Sequence, residues 1–137
     1  MLPMATLATP LHDPAQHDDP NVVKAVLDKT GDALYFSRLP IPCARDGASS
    51  KENPTSENPS SPRLRHLGIY AYSAEWLLQM ARLPPSPLEE IEKLEQLRAL
   101  ENGARIKVVL VENVVNIAID TPHDLQQAEA HLRRTAR

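Results

Sequence analysis

The chain has 137 residues, of which 42% are apolar and only 4% aromatic, with 15 basic and 18 acidic side chains and a formal charge of −3. That length suits one domain with a modest, mostly aliphatic core, and the weak negative charge argues against a general nucleic-acid binder while leaving small anionic ligands open. One cysteine, Cys43, allows no internal disulfide, no Cys/His cluster suggests zinc, and no apolar run reaches membrane-spanning length, so the expected setting is the reducing cytoplasm without membrane insertion.

Residues 4–9 form a short apolar stretch that suits a strand, and residues 11–21, with Pro14, Pro20 and several acids, suit a loop. The β-branched run 22–27 and the run 33–37 (Ala-Leu-Tyr-Phe-Ser) predict two strands paired as a hairpin over the turn 28–32. Residues 38–63 differ in character. They open with Arg38-Leu39-Pro40-Ile41-Pro42, and 47–62 is dominated by Ser, Asn, Pro, Glu, Lys and Thr. A segment of that composition buries too little to offset its ordering entropy, so a mobile polar loop is expected. Arg38 and Arg45 flank its start. An isolated arginine is most simply a solvated surface group, whereas two beside a loop can clamp a carboxylate.

Residues 65–72 (Arg-His-Leu-Gly-Ile-Tyr-Ala-Tyr) alternate Leu67, Ile69 and Ala71 with His66, Gly68, Tyr70 and Tyr72. This predicts a period-two strand with one polar-aromatic face. A lone strand histidine is more often structural than catalytic. His66 and Tyr70 on one face, with the bare backbone of Gly68 between them, read as a ligand surface. A short helix is expected over 73–83, with Ser73 as cap, Trp76, Leu77 and Met80 inward, and Pro84-Pro85 as its end.

The stretch 86–103 reads as one helix with both ends written in. Ser86 serves as N-cap, Pro87 suits the first position, Glu89 completes a capping box, and Gly103 is a left-handed stop. Leu88, Ile91, Leu94, Leu97 and Leu100 recur every third residue, so a broad side must be covered. Glu95 falls at the edge of that apolar face, either as a solvated rim residue or as an acid that is paired or used. Residues 105–111 predict a strong strand, 114–119 another, and about 123–134 a last helix. Asp120, between strand and helix, is either an N-cap or a carboxylate ligand for a hard cation.

The ordered set of local motifs resembles a known family. Asn21-Val22-Val23-Lys24, Ala33-Leu34-Tyr35-Phe36-Ser37-Arg38, Ile41-Pro42, Arg45-Asp46, Arg65-His66-Leu67-Gly68-Ile69-Tyr70, Ser86-Pro87-Leu88-Glu89, Leu94-Glu95-Gln96-Leu97-Arg98, Leu100-Glu101-Asn102-Gly103 and Asp120-Thr121-Pro122 occur in an order similar to the C-terminal part of the 3-deoxy-manno-octulosonate cytidylyltransferases, or CMP-Kdo synthetases. Each motif alone is weak, but the ordered set is specific. The resemblance implies an α/β fold: part of a nucleotide-sugar transferase-type (Rossmann-like) domain over 1–137, with a mixed sheet, flanking helices and a dimerisation sheet. It implies transfer of CMP from CTP to the sugar acid Kdo with release of diphosphate, Mg²⁺ as cofactor, a role in lipopolysaccharide biosynthesis, and a homodimer. It places Arg38, Arg45, His66, Tyr70, Glu95 and Gln96 at the sugar acid and Asp120 at the metal; it assigns no catalytic residue.

The departures from the family pattern are equally specific. The family's Arg-rich, Gly-containing triphosphate loop and its Gln-Gly-Asp-Glu-Pro segment, with a second metal-binding aspartate, do not occur in this sequence. Cys43 stands where a Trp is usual after Ile-Pro. Residues 114–119 replace a Pro/Gly-rich approach to the metal aspartate, and the polar insert at 47–62 is unusual. An incomplete CTP site is therefore expected, and with it inactivity of this chain alone. The alternative is a non-catalytic remnant that dimerises or pairs with a full-length homologue.

Overall fold

The apolar stretch at the start of the chain becomes β1 (Met4–Pro10), which buries Met4, Thr6 and Ala8 on one face. The structure is a computed structural model describing residues 2–43, 63–112 and 122–135. The segment expected to be a loop at 11–21 holds one short helix, α1 (Pro14–Asp18), whose first turn is set by Pro14 and by Asp13, which accepts a hydrogen bond from the Ala15 N–H at 2.9 Å. The hairpin forms as expected from β2 (Lys24–Leu27) and β3 (Ala33–Ser37). Gly31, at φ +81°, supplies the left-handed residue of its turn, and Asp28 Oδ1 accepts from the Thr30 and Asp32 N–H groups. The strand expected at 65–72 is β4 (Leu64–Tyr72), and the one expected at 105–111 is β5 (Ile106–Leu110). The five strands form one mixed sheet in the order β3-β2-β4-β1-β5, in which only β1 and β5 run parallel.

The sheet curls. The β2–β3 turn reaches the start of β5, where Asp32 and Lys107 form an antiparallel bridge and the Val108 N–H donates to Gly31 O at 2.9 Å. The buried carboxylate of Asp32 accepts from Arg105 Nε at 2.8 Å and faces Lys107 Nζ at 3.3 Å. These hydrogen bonds hold its pKa below the usual carboxylate range, Arg105 first. Farther along β5, Val109 and Leu110 remain half exposed, each at 49%.

Helix α2 (Ala74–Met80) starts at Ser73, whose Oγ accepts from the Trp76 N–H at 3.2 Å. It turns Trp76 and Met80 inward, but Leu77, also expected inward, is exposed. The single helix expected over 86–103 is two. α3 (Pro87–Glu92) ends at Lys93, which sits at φ +53°, and α4 (Gln96–Glu101) begins after Glu95. A left-handed non-glycine residue costs about 1–2 kcal/mol. Contacts from distant sequence offset that cost. Arg38 Nε donates to Glu92 O at 2.8 Å, and the Glu92 carboxylate accepts from Ser37 Oγ at 2.6 Å and from the Arg38 N–H at 2.9 Å. The break divides the apolar row: Leu94 and Leu97 are buried, whereas Ile91 is 77% exposed. The Glu89 half of the capping box is made, with the Ser86 N–H donating to Glu89 Oε2 at 3.1 Å, and Gly103 ends α4 with φ +77°.

Lys24, expected only as part of a strand, is fully buried. Its ammonium donates to the carbonyls of Asp19 (2.9 Å), Val22 (2.5 Å) and Arg38 (2.5 Å), which uses all three donors. Burial is the main cause of its lowered pKa. The core gathers on the face carrying Met4, Phe36, Leu97 and Ile106, none more than 1% exposed. The last helix is α5 (Pro122–Thr135). Arg45, the polar loop at 47–62, the strand expected at 114–119 and Asp120 lie outside the described residues. Among the described residues no helix is long and apolar enough to cross a membrane.

Candidate functional site

His66 and Tyr70 are four residues apart in β4, a separation that would span about 13 Å in a regular strand. Their ring centroids are 5.5 Å apart. The cause is a bulge. Across the β1–β4 ladder Thr6 faces Tyr70 and its neighbour Leu7 faces Leu67, so Gly68 and Ile69 have no partner in β1. Two extra residues preserve the pleat's parity. His66 and Tyr70 therefore stay on one face, as the alternation predicted, but become near neighbours. A row of rings results: Phe36 to His66 at 4.8 Å, His66 to Tyr70 at 5.5 Å, and Tyr70 to Tyr72 at 5.9 Å. A Cβ added at Gly68 would meet nothing within 4 Å, so the exposed backbone of the bulge is open to approach.

Electrostatics makes this face neutral at physiological pH. Burial lowers the His66 pKa to about 4, because the low-dielectric surroundings disfavour imidazolium. Burial likewise raises the Tyr70 phenol well above its ordinary value, with smaller contributions from Tyr72 and Glu95. Tyr72 is raised by burial and then by Glu95. Glu95 thus acts on both phenols. Its side chain is 71% exposed, so it is not the edge-of-core acid of a continuous helix; the break after α3 carries it into solvent, 3.7 Å from Arg98. Gln96 is buried at 4% exposure, and its Nε2 has no hydrogen-bond partner among the described residues. A buried amide donor without a partner costs about 1–3 kcal/mol, which a ligand acceptor would recover.

Arg38 is engaged elsewhere. Besides Glu92 O, its guanidinium donates to Pro20 O at 2.9 Å and to Lys93 O at 3.5 Å. In this conformation it braces the backbone around the helix break. Arg45 and Asp120 lie outside the described residues, and among those described no group of three or more His, Cys, Asp or Glu residues is placed to hold a metal ion. A cavity of about 520 Å³ is bordered by Glu89, Lys93, Glu95 and Arg98. A second, of about 470 Å³, lies between Thr9, His12, Asp13, Arg65 and Glu112 and includes none of the expected sugar-acid residues.

Sequence reasoning missed Thr6. It lies buried beneath the bulge, with its Oγ1 2.9 Å from His66 Nε2, 3.1 Å from Leu67 O and 2.9 Å from Ile69 O. Its only signal in the sequence is a hydroxyl within an apolar strand.

Comparison with known proteins adds an independent line. A family model described as cytidylyltransferase matches residues 3–106. A 3-deoxy-manno-octulosonate cytidylyltransferase of Syntrophotalea carbinolica is 53% identical over 133 residues, 96% of this chain and 52% of that protein. One from Xanthomonas campestris pv. campestris is 51% identical over 129 residues, 94% of this chain and 51% of that protein. A solved structure of CMP:2-keto-3-deoxy-manno-octonic acid synthetase complexed with CTP superposes with a TM-score of 0.83 at 35% identity, covering 98% of this chain and 50% of that one. The chain spans about half the length of the curated relatives it matches.

Proposed function

The chain belongs to the cytidylyltransferase family, and on that premise we propose that it carries the sugar-acid-binding portion of a 3-deoxy-manno-octulosonate cytidylyltransferase, which joins CTP and Kdo to give CMP-Kdo and diphosphate for lipopolysaccharide biosynthesis. The observation that carries this reading is a set of neutral polar groups, the His66 and Tyr70 rings at 5.5 Å and the buried Gln96 Nε2 donor that lacks a partner among the described residues. A polyol acid presents several hydroxyls and one carboxylate. Neutral imidazole, phenol and amide groups match the hydroxyls without the desolvation cost of burying further charge. Glu95, exposed at the break between α3 and α4, is available to accept from a sugar hydroxyl. Arg45 is the proposed carboxylate clamp; Arg38 would join it only by leaving the carbonyls it now braces.

In the proposed reaction the anomeric hydroxyl attacks the α-phosphate of CTP and diphosphate leaves. Asp120 is the proposed carboxylate that would hold Mg²⁺, a hard cation that would supply charge neutralisation at the triphosphate. This chain's own residues bind and orient the sugar acid. The triphosphate loop belongs, by the family resemblance, to the length that the relatives have and this sequence does not span. A cytoplasmic setting and a homodimer are part of the same reading.

The test is diphosphate release with CTP, Kdo and Mg²⁺, by this chain alone and with the remaining length supplied as a separate polypeptide. Release only in the mixture, lost in Gln96→Ala and Asp120→Ala, is expected. A mixture that stays silent while Kdo also fails to bind the chain would overturn the reading.

A further inference from the structure

Thr6 has one hydroxyl proton and three close partners. Two of them, Leu67 O and Ile69 O, can only accept. Were the proton spent on His66 Nε2, the Thr6 oxygen would face both carbonyls with no hydrogen between, leaving acceptors opposed in a buried site. With the proton shared toward the carbonyls, His66 Nε2 must be the donor and the Thr6 oxygen its acceptor at 2.9 Å.

From this geometry we propose that Thr6 is a positioning residue: it fixes His66 as the Nε2–H tautomer, so that Nδ1 is the ring's acceptor, and it pins the bulge that sets His66 beside Tyr70. An imidazole held this way recognises a ligand through a donated hydroxyl, not through a carboxylate. For the proposed Kdo site it assigns His66 to a sugar hydroxyl, and in that respect the inference rests on the functional reading above. The low His66 pKa agrees, since a neutral ring is the form the site holds. The hydroxyl also ties two strands together, because it sits on β1 while all three partners sit on β4.

The test uses long-range proton–nitrogen correlation spectra of the full nitrogen-15-labelled chain at pH 7.5, with His66 signals assigned by their loss in His66→Gln. The wild type should show a protonated Nε2 and an unprotonated Nδ1. Thr6→Val should shift His66 toward a tautomer mixture and weaken Kdo binding about tenfold; Thr6→Ser should restore both. If Thr6→Val does not fold, Thr6→Cys, with a poor donor and acceptor, takes its place. A wild-type ring protonated at Nδ1, or a tautomer unchanged in the hydroxyl-free variant, would overturn the proposal. Failure of Kdo to bind wild type, with the tautomer as stated, overturns the functional reading and leaves the role of Thr6 toward His66 standing.

Discussion

Arg98 and Glu89 are joined as a two-pronged pair across the break between α3 and α4, with Arg98 Nε donating to Glu89 Oε2 at 2.7 Å and Nη2 to Oε1 at 2.6 Å. Both side chains are mostly buried, at 15% and 14% exposure. The same guanidinium reaches Leu83 O at 3.2 Å, and the same carboxylate accepts from the Ser86 N–H. One pair therefore ties the start of α3 to α4 and fixes the segment carrying Glu95.

Arg98→Met keeps the side-chain length and removes the fork. It should destabilise the chain by about 2 kcal/mol, chiefly because a mostly buried Glu89 is left with fewer donors. Urea denaturation measures this. A midpoint within error of wild type would mean the pair adds nothing to stability.

Acid should weaken the fold in two separate windows. At pH 7.5 the His66 ring is neutral in both folded and unfolded chains. Below 6.5 the unfolded chain takes up a proton that the folded chain refuses until about 4, so stability is lost as pH falls between those values. The full loss from His66 is about 3 kcal/mol. His17, also lowered by burial, acts in the same direction. The depressed carboxylates act lower: Glu89, held down by Arg98, and Asp32, held down by Arg105, lose their contribution only as pH drops below their ordinary values of 4.5 and 3.8. His66→Gln should reduce the slope of the upper window, leaving the part due to His17, in urea midpoints taken from pH 7.5 to 4.5; an unchanged slope would count against a buried neutral ring.

Asp32→Asn should loosen the curl of the sheet. The carboxylate holds the β2–β3 turn to Arg105 and Lys107, and that turn supplies the carbonyl acceptor for the Val108 N–H. Amide exchange at Val108 should accelerate, while the amides paired between β1 and β4 keep their protection. Equal acceleration throughout the sheet would show that the clip acts on global stability instead.

Gly68→Ala separates folding from binding. The added methyl meets no atom within 4 Å, so stability should stay within about 0.5 kcal/mol of wild type. On the proposed function Kdo binding should fall, because the methyl stands on the exposed backbone of the bulge that separates His66 from Tyr70 along β4. Calorimetric titration beside a thermal melt checks both halves; unaffected binding would place the sugar acid away from the bulge.

Periodicity and turn chemistry, both local, were legible in the sequence: the apolar stretch of β1, the alternation of β4, the hairpin around Gly31, the caps at Ser73 and Ser86 and the stop at Gly103. Neighbouring residues determine these features, and the same local motifs, taken in order, pointed to the family. Contacts between distant segments decided the rest. The helical pattern of 86–103 carries no stop at Lys93, and the break coincides with the anchoring of Glu92 by Ser37 and Arg38 from across the fold. Alternation placed His66 and Tyr70 on one face, but only the ladder with β1, and a Thr6 hydroxyl with carbonyls to pin, brought their rings to 5.5 Å. Sequence leaves Arg38 as either a solvated surface group or a carboxylate clamp; only the folded chain shows the backbone carbonyls of Pro20 and Glu92 that it meets. Sequence spacing sets which face a side chain occupies; the partners waiting there are set by segments the chain brings back from far along its length.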